Sequence, residues 1–173
     1  MPGLAGRPET SKSRVSGAAP GGIVGWREWV QLPRLGVGPI AAKIDTGART
    51  SALHATHIEI IDRDDKQWAR FRLYDDHRNP EHFTWVKARL RDVRGVRNSG
   101  GLQEQRVVIR TSLIIGATAS AAASAFIAEF TLVERSDMVF PILLGRTALR
   151  AKKLLVNPGR SFLLGRHRHQ PPL

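Results

Sequence analysis

The chain has 173 residues, no cysteine and a formal net charge of +12, with 27 Lys and Arg against 15 Asp and Glu. A domain of this length can bury a core without cross-links, and the absence of cysteine excludes disulfides, thiolate metal ligands and a cysteine nucleophile. The positive charge favours nucleic acid or an acidic peptide as partner, although a codon bias toward Arg and Ala would produce it equally well.

Both ends of the chain are basic and contain few apolar residues. Residues 1–22 are rich in Gly, Pro and Ser and predict a disordered basic tail, and residues 167–173 predict a second one. No stretch has the apolar core of a signal peptide or the length of a membrane span. We therefore expect one folded domain over residues 23–166 in a cytoplasmic protein that has no membrane partner.

Between the tails, apolar and polar residues alternate in short runs separated by turn residues, which indicates β-strands. The predicted strands cover 23–32, 37–44, 52–61, 68–74, 83–90, 106–115, 126–134, 141–144 and 161–164. Polar residues 75–82 predict a loop, and residues 116–124, mostly Ala, Ser and Thr, predict a long connection. Residues 147–153 predict two helical turns that end before Asn157-Pro158-Gly159. The pattern predicts an all-β fold with one short C-terminal helix.

The segment 91–105 is rich in Arg and Gly and lies between two predicted strands. Its composition is typical of a mobile surface hairpin. Gly100 and Gly101 would allow the tip of such a hairpin to approach another backbone closely.

The most informative stretch begins where the apolar strand 37–44 runs into Asp45-Thr46-Gly47. The glycine allows a tight turn beneath the carboxylate, and the Thr46 hydroxyl can bind neighbouring backbone. A lone Asp-Thr-Gly is usually an ordinary turn. Far downstream, a second stretch, Leu143-Leu144-Gly145-Arg146, follows an apolar run and precedes the predicted helix.

Together these two motifs resemble those of the retropepsin-type aspartic peptidases. The similarity is closer to their bacterial single-domain relatives, the retropepsin-like endopeptidases long labelled "ATP-dependent zinc proteases". The segments 25–30, 43–54, 97–101 and 145–146 fit that pattern, and the resemblance covers roughly residues 22–166.

The resemblance implies an acid-protease closed β-barrel and a homodimeric aspartic endopeptidase. Such an enzyme needs two carboxylates about 3 Å apart that share a proton. Because the chain has one Asp-Thr-Gly, two chains would each donate Asp45 across a two-fold axis. Thr46 and Gly47 complete the implied catalytic set. The implied substrate-binding residues are Ala48, Arg49, Asn98, Ser99, Gly100, Gly101, Gly145 and Arg146, of which 98–101 belong to the flap.

One position departs from the retropepsin pattern. In retropepsins the arginine that matches Arg146 pairs with an acidic residue shortly after the catalytic aspartate, and here that position is Arg49. The usual ion pair therefore cannot form in this chain.

The "zinc" and "ATP" labels have little support in the residues. His54, His57, His77 and His82 form no His-Glu-x-x-His motif, and residues three apart on a strand point to opposite faces. No Gly-rich phosphate loop with a following Lys and Ser or Thr is present. We therefore expect no metal and no cofactor.

Two functions remain open. The first is peptide-bond hydrolysis of a peptide or protein substrate. By resemblance, relatives of this family occur beside an ATP-grasp glutamate ligase, which makes an acidic or glutamate-rich tail a candidate substrate, and nucleic acid is not expected. The alternative is a non-enzymatic basic β-barrel module that binds RNA or another polyanion. Its candidate residues are the aromatics Trp68, Phe71, Tyr74, Phe83 and Trp85, with Arg70, Arg72, Lys87 and Arg89.

Overall fold

A computed structural model describes residues 21–74, 79, 81–97, 101, 103–116, 124–134 and 139–165. The strands found there are β1 (Gly22–Gly25), β2 (Arg27–Leu32), β3 (Val37–Ile44), β4 (Ser51–Arg63), β5 (Lys66–Tyr74), β6 (Phe83–Arg97), β7 (Gln103–Ile115), β8 (Phe126–Val133), β9 (Ile142–Leu144) and β10 (Leu154–Asn157). The described part also contains a single 3-10 turn, Pro33–Leu35, and one short helix, α1 (Arg146–Ala151). These elements confirm an all-β fold with one short helix after the second motif.

Eight of the strands form one sheet that curves back on itself. Their order is β2-β3-β9-β4-β5-β6-β7-β8, and further pairings of β2 with β7 and of β4 with β8 give the sheet a ring-like form. The alternating apolar side chains point into the ring, where Leu53, Phe71, Phe130 and Ile142 are fully buried. Burial of this one face fixes the register of each strand, because a slip of one residue would turn its apolar side chains outward.

The short strand β9 lies between β3 and β4. It runs parallel to β3, with Leu144 beside Ile44, and antiparallel to β4, with Ile142 beside Leu53. A wholly apolar sequence suits a strand that has neighbours on both edges and packs into the core. This placement brings together two motifs that are far apart in the sequence.

The hairpin of β6 and β7 is longer than predicted. β6 continues from residue 90 to Arg97 and β7 begins at Gln103, so most of the segment 91–105 is paired strand, with Arg97 opposite Gln103. The segment 91–105 needs few apolar residues, because its strands are exposed on the surface and backbone hydrogen bonds hold them together. Residues 98–100, at the tip, lie outside the described residues.

The predicted strand 23–32 is two strands in the structure. β1 pairs in parallel with β10 in a separate two-stranded sheet, whereas β2 belongs to the large sheet. The chain changes sheets at Trp26, whose N–H donates to the carbonyl of Arg160 (2.8 Å). The sequence analysis missed β10, because four residues after a helix carry little periodicity of their own.

The prediction of a last strand over 161–164 is wrong. These residues form no ladder within the described chain; instead, the N–H groups of Leu163 and Leu164 donate to the buried carboxylate of Glu28 (2.8 and 3.2 Å). A side chain from the other end of the domain therefore replaces the strand partner that the prediction required.

Some predictions fall on residues that the structure does not describe. These are residues 1–20 of the first tail, 166–173 at the other end, 117–123 of the long connection, and 75–78 and 80 of the polar loop. No helix in the described ranges has the length and apolar character needed to cross a membrane.

Candidate active site

The first motif forms a loop between β3, which ends at Ile44, and β4, which begins at Ser51. The N–H of Asp45 donates to the carbonyl of Leu144 (2.9 Å), one position beyond the last residue of the β3–β9 ladder. The backbone of Asp45 is therefore fixed by the core sheet, while its side chain is presented at the point where the sheet ends.

The carboxylate of Asp45 is held by its own loop. One oxygen, Oδ1, accepts the N–H of Gly47 (3.0 Å) and the N–H of Ala48 (3.1 Å). A Cβ at position 47 would lie 3.2 Å from Oδ1, so any residue other than glycine would crowd this Asx-type turn. Of the residues that the structure describes, none donates to Oδ2, so this oxygen remains available for a proton or a water.

Arg146, the first residue of α1, holds the loop from the other side. Its Nη1 donates to the carbonyls of Thr46 (2.9 Å) and Gly47 (2.7 Å). The backbone N–H groups of Arg146 and Thr147 donate to the carbonyls of Ala48 (2.9 Å) and Arg49 (3.0 Å). Four hydrogen bonds thus join the loop to the start of the helix, and the guanidinium binds carbonyls where the retropepsin pattern has a carboxylate.

Gly145 lets the second motif approach the loop closely. A Cβ at this position would lie 2.5 Å from the carbonyl oxygen of Thr50, which no side chain could tolerate without a backbone shift. Its N–H donates to Oγ of Ser51 (3.1 Å). The glycine is therefore required by backbone contact and not by an unusual backbone angle.

Two positioning residues were missed by the sequence analysis. Ser51 is fully buried and accepts from Gly145, and the hydroxyl of Thr131 donates to the carbonyl of Ser51 (3.1 Å). A small polar residue among apolar ones was the available signal, but it does not reveal which distant backbone it will bind.

The structure brings Asp45 and the other candidates of the two motifs together. Thr46, Gly47, Arg49 and Arg146 are exposed, Ala48 is half-buried and Gly145 is buried. Of the candidates on the hairpin tip, Gly101 is described and is exposed in the left-handed region (φ 81°). Asn98, Ser99 and Gly100 lie outside the described residues, so the flap assignment remains a prediction.

An apolar cavity of about 310 Å³ adjoins the strands that lead to Asp45. Its lining consists of Trp26, Lys43, Val139, Phe140 and Leu143. Lys43 and Leu143 face each other in the β3–β9 pair, one register position before Ile44 and Leu144. A side chain of about leucine size could occupy this space beside the Asp45 loop.

The histidines lie in separate environments. His54 is buried with its ring 5.4 Å from that of Tyr74, His57 is exposed with its Nδ1 3.0 Å from the Thr56 hydroxyl, and His82 lies beside Asn79. His77 is not among the described residues. Within the described ranges, no three side chains of His, Asp or Glu form a group that could hold a metal ion.

The fold matches a solved structure. The crystal structure of the protein Lpg0085 from Legionella pneumophila, of unknown function, superposes with a TM-score of 0.68 and 22% sequence identity over 83% of this chain and 98% of that chain. The two proteins therefore share a fold.

The family is established by sequence. Residues 23–167 match the RimB-like family, described as "Retropepsin-like aspartic endopeptidase RimB". The chain belongs to this family, which confirms the resemblance found from its two motifs.

Curated relatives carry a different name. Proteins named "Probable alpha-L-glutamate ligase" are 36% identical over 143 residues in Shewanella pealeana and 37% identical over 143 residues in Parasynechococcus marenigrum. The aligned region is 83% of this chain but 30% and 29% of those proteins. The chain thus spans less than a third of the length of these relatives.

Proposed function

We propose that this chain is an aspartic endopeptidase that acts as a homodimer, with Asp45 of each protomer forming the catalytic pair. The observation that carries the proposal is the Asp45 loop, in which one carboxylate oxygen is bound by two N–H groups and the loop is pinned by Arg146. The chain contains a single Asp-Thr-Gly, so a pair of such carboxylates requires a second copy. The described ring-like sheet would then be one half of an acid-protease dimer.

In this dimer the two carboxylates share one proton, because like charges about 3 Å apart cannot both ionise. The ionised carboxylate takes a proton from a water, which attacks the scissile carbonyl, and the protonated carboxylate donates a proton to the carbonyl oxygen. Collapse of the tetrahedral intermediate, with proton transfer to the leaving nitrogen, regenerates the shared-proton state. The exposed Thr46 would brace the loop across the axis.

The peptide would lie over the loop and beneath the hairpin of β6 and β7. The cavity lined by Trp26, Phe140 and Leu143 would accept an apolar side chain. The hairpin tip, residues 98–101, would close over the substrate backbone and exclude water.

The name of the curated relatives supports a substrate class. Those relatives are named as glutamate ligases, and they are more than three times as long as the matched region. The matched region carries the endopeptidase family model and covers only 30% of such a relative, so we assign the ligase chemistry of those proteins to the part outside the match, and hydrolysis of glutamate-bearing peptides to the matched domain. A glutamate ligase is then the expected functional partner of this domain.

The test is a mixing experiment with the Asp45→Asn variant, which keeps the side-chain volume and removes the shared proton. The variant alone should cleave no peptide. Mixed in equal amounts with the wild-type chain and allowed to exchange, it should reduce the activity per wild-type chain to roughly half, because mixed dimers hold one carboxylate.

Asp62→Asn, on the exposed part of β4, is the matched control and should change neither result. Unchanged wild-type activity in a tenfold excess of the Asp45→Asn variant, with exchange verified by light scattering of tagged chains, would refute the shared pair.

A further inference from the structure

The outward face of β5 and β6 combines aromatic and cationic side chains. The cross-strand pairs on this face are Trp68 with Arg89, Arg70 with Lys87, and Arg72 with Trp85; beyond them Phe83 is exposed and lies opposite Tyr74, which is buried. The residues between them, Ala69, Phe71, Val86 and Ala88, are buried in the core. Phe71 therefore does not belong to this surface, although the sequence analysis grouped it with the other aromatics.

The arginines on this face lie over the aromatic rings. The guanidinium carbon of Arg70 is 4.0 Å from the ring centre of Trp85, and that of Arg72 is 4.3 Å from Phe83 and 5.0 Å from Trp85. Trp85 and Phe83 nevertheless stay 38% and 36% exposed. The rings of Phe83 and Trp85 meet edge to face, with 88° between their planes. The aromatic cluster of Phe83 and Trp85 is therefore open to solvent, and a further planar group can pack against it.

An arginine cleft continues this surface. It has a volume of about 610 Å³ and is lined by Arg34, Arg89, Leu90, Arg91, Arg110 and Ile127. Arg91 and Arg110 lie 3.6 and 3.9 Å from the carboxylate of Glu129, which offsets part of their charge. Arg89 belongs both to the cleft and to the outward face of β6, so the aromatic cluster and the cleft form one surface.

We propose that this surface binds a single-stranded nucleic acid, whose bases stack on the Trp85 and Phe83 cluster while its phosphates lie in the arginine cleft. Aromatic faces interleaved with Arg and Lys are the chemistry of base stacking and phosphate binding. A carboxylate-rich peptide would use the cations but leave the rings without a role. From Phe83 to Arg89 the strand spans about 20 Å, long enough for several nucleotides.

This site is independent of the Asp45 loop, and it reverses the expectation that nucleic acid is not a partner. It also joins the two functions that the sequence left as alternatives, because a peptidase domain can carry a separate nucleic-acid surface. The net charge of +12 would assist association at a distance, whereas the aromatic cluster would retain the bound strand.

The experiment measures binding of a labelled oligouridylate of about ten nucleotides by fluorescence anisotropy, using the full chain. Trp85→Leu, which keeps apolar bulk and removes the ring, should weaken binding roughly tenfold. Arg89→Gln should lower the dependence of log Kd on log salt by about 0.7, as expected for one lost phosphate contact. Asp45→Asn should bind like the wild-type chain, which keeps failure of this proposal separate from failure of the peptidase proposal.

Arg150→Gln is the charge-matched control, since Arg150 is exposed on α1, and it should leave affinity unchanged. Thermal unfolding of each variant verifies that it is folded. The Trp85→Phe variant retains a ring and should therefore keep most of the affinity that Trp85→Leu loses. Four results would overturn the proposal: a Trp85→Leu variant that binds normally, an Arg150→Gln variant that binds as weakly as Arg89→Gln, a duplex of equal length that binds as tightly as the single strand, or oligoglutamate whose binding Trp85→Leu weakens as much as it weakens that of the single strand.

Discussion

At the scale of single residues, the Asp45 loop depends on side chains that do not carry the chemistry. The resemblance implies that Arg146 contacts substrate, which stays a prediction, and in the structure its guanidinium donates to the carbonyls of Thr46 and Gly47. Gly145 and Ser51 hold the adjoining backbone. From these contacts we propose that Arg146 is a positioning residue, whose effect on the proposed reaction is transmitted through the loop.

Arg146→Met should therefore lower kcat and leave KM nearly unchanged, because the methionine keeps the apolar stem and loses both hydrogen bonds. We expect the free energy of unfolding to fall by about 1–2 kcal/mol, as the two bonds are charge-assisted but exposed to solvent. Steady-state kinetics and chemical denaturation measure the two effects. Arg150→Met on the same helix is the control, and a raised KM with unchanged kcat would instead assign Arg146 to the substrate.

At the scale of elements, the two ends of the domain are joined by one buried carboxylate. Glu28, on β2, is fully buried, and its Oε1 accepts the N–H groups of Gly25 (2.7 Å) and Leu163 (2.8 Å). Its Oε2 accepts the N–H of Leu164 (3.2 Å). A single acid thus fixes the turn between β1 and β2 and the segment that follows β10.

Glu28→Gln should destabilise the domain by about 1–3 kcal/mol. The amide NH₂ that replaces Oε2 is a donor, so it would face the N–H of Leu164, which would lose this acceptor. Glu28→Ala should cost more, since it removes all three acceptor contacts. Urea denaturation measures both changes. Glu59→Gln, which breaks an exposed pair with Arg70 (3.2 Å), is the control and should cost less than about 0.5 kcal/mol. Equal effects at positions 28 and 59 would contradict the role given to Glu28.

At the scale of the whole molecule, the excess positive charge should steer acidic substrates toward the proposed active site. Arg91 and Arg94 lie on the β6–β7 hairpin, but Glu129 and Asp92 offset part of their charge, with Arg94 3.0 Å from Asp92 and 3.5 Å from Glu129. The steering is therefore expected from the overall field and not from two isolated hairpin cations.

Cleavage of oligoglutamate should exceed that of matched neutral and basic peptides at low salt, and the preference should shrink as salt is raised. At about 0.15 M salt the screening length is already roughly 8 Å, so charges beyond the first contacts contribute little. The measurement is kcat/KM for the peptide set across a salt series. If neutral apolar peptides are cut best at every ionic strength, net charge does not determine specificity, and the glutamate-tail assignment is wrong.

The local pattern of the sequence was enough to predict most strands and the short helix, and the resemblance carried by the two motifs identified the family. Strand β3 and the approximate position of α1 follow from periodicity and turn residues, which act over a few neighbours. The hairpin ends of β6 and β7 were under-predicted, because backbone pairing holds them together with few apolar residues. Strand β10 was missed because its four residues are too few to show a period, although Leu154 and Val156 pack against the core.

Tertiary structure decided which distant residues meet. Insertion of β9 between β3 and β4 places Arg146 on the carbonyls that follow Asp45, and closure of the ring-like sheet places Thr131 on Ser51. It also gave residues 163 and 164 a carboxylate partner where a strand was expected, and it separated Phe71 from the surface formed by Trp85, Arg70 and Arg72. The periodicity of a strand predicts which face of the sheet each residue occupies. Hydrogen bonds between segments a hundred residues apart depend instead on how the sheet closes, and no local pattern encodes that closure.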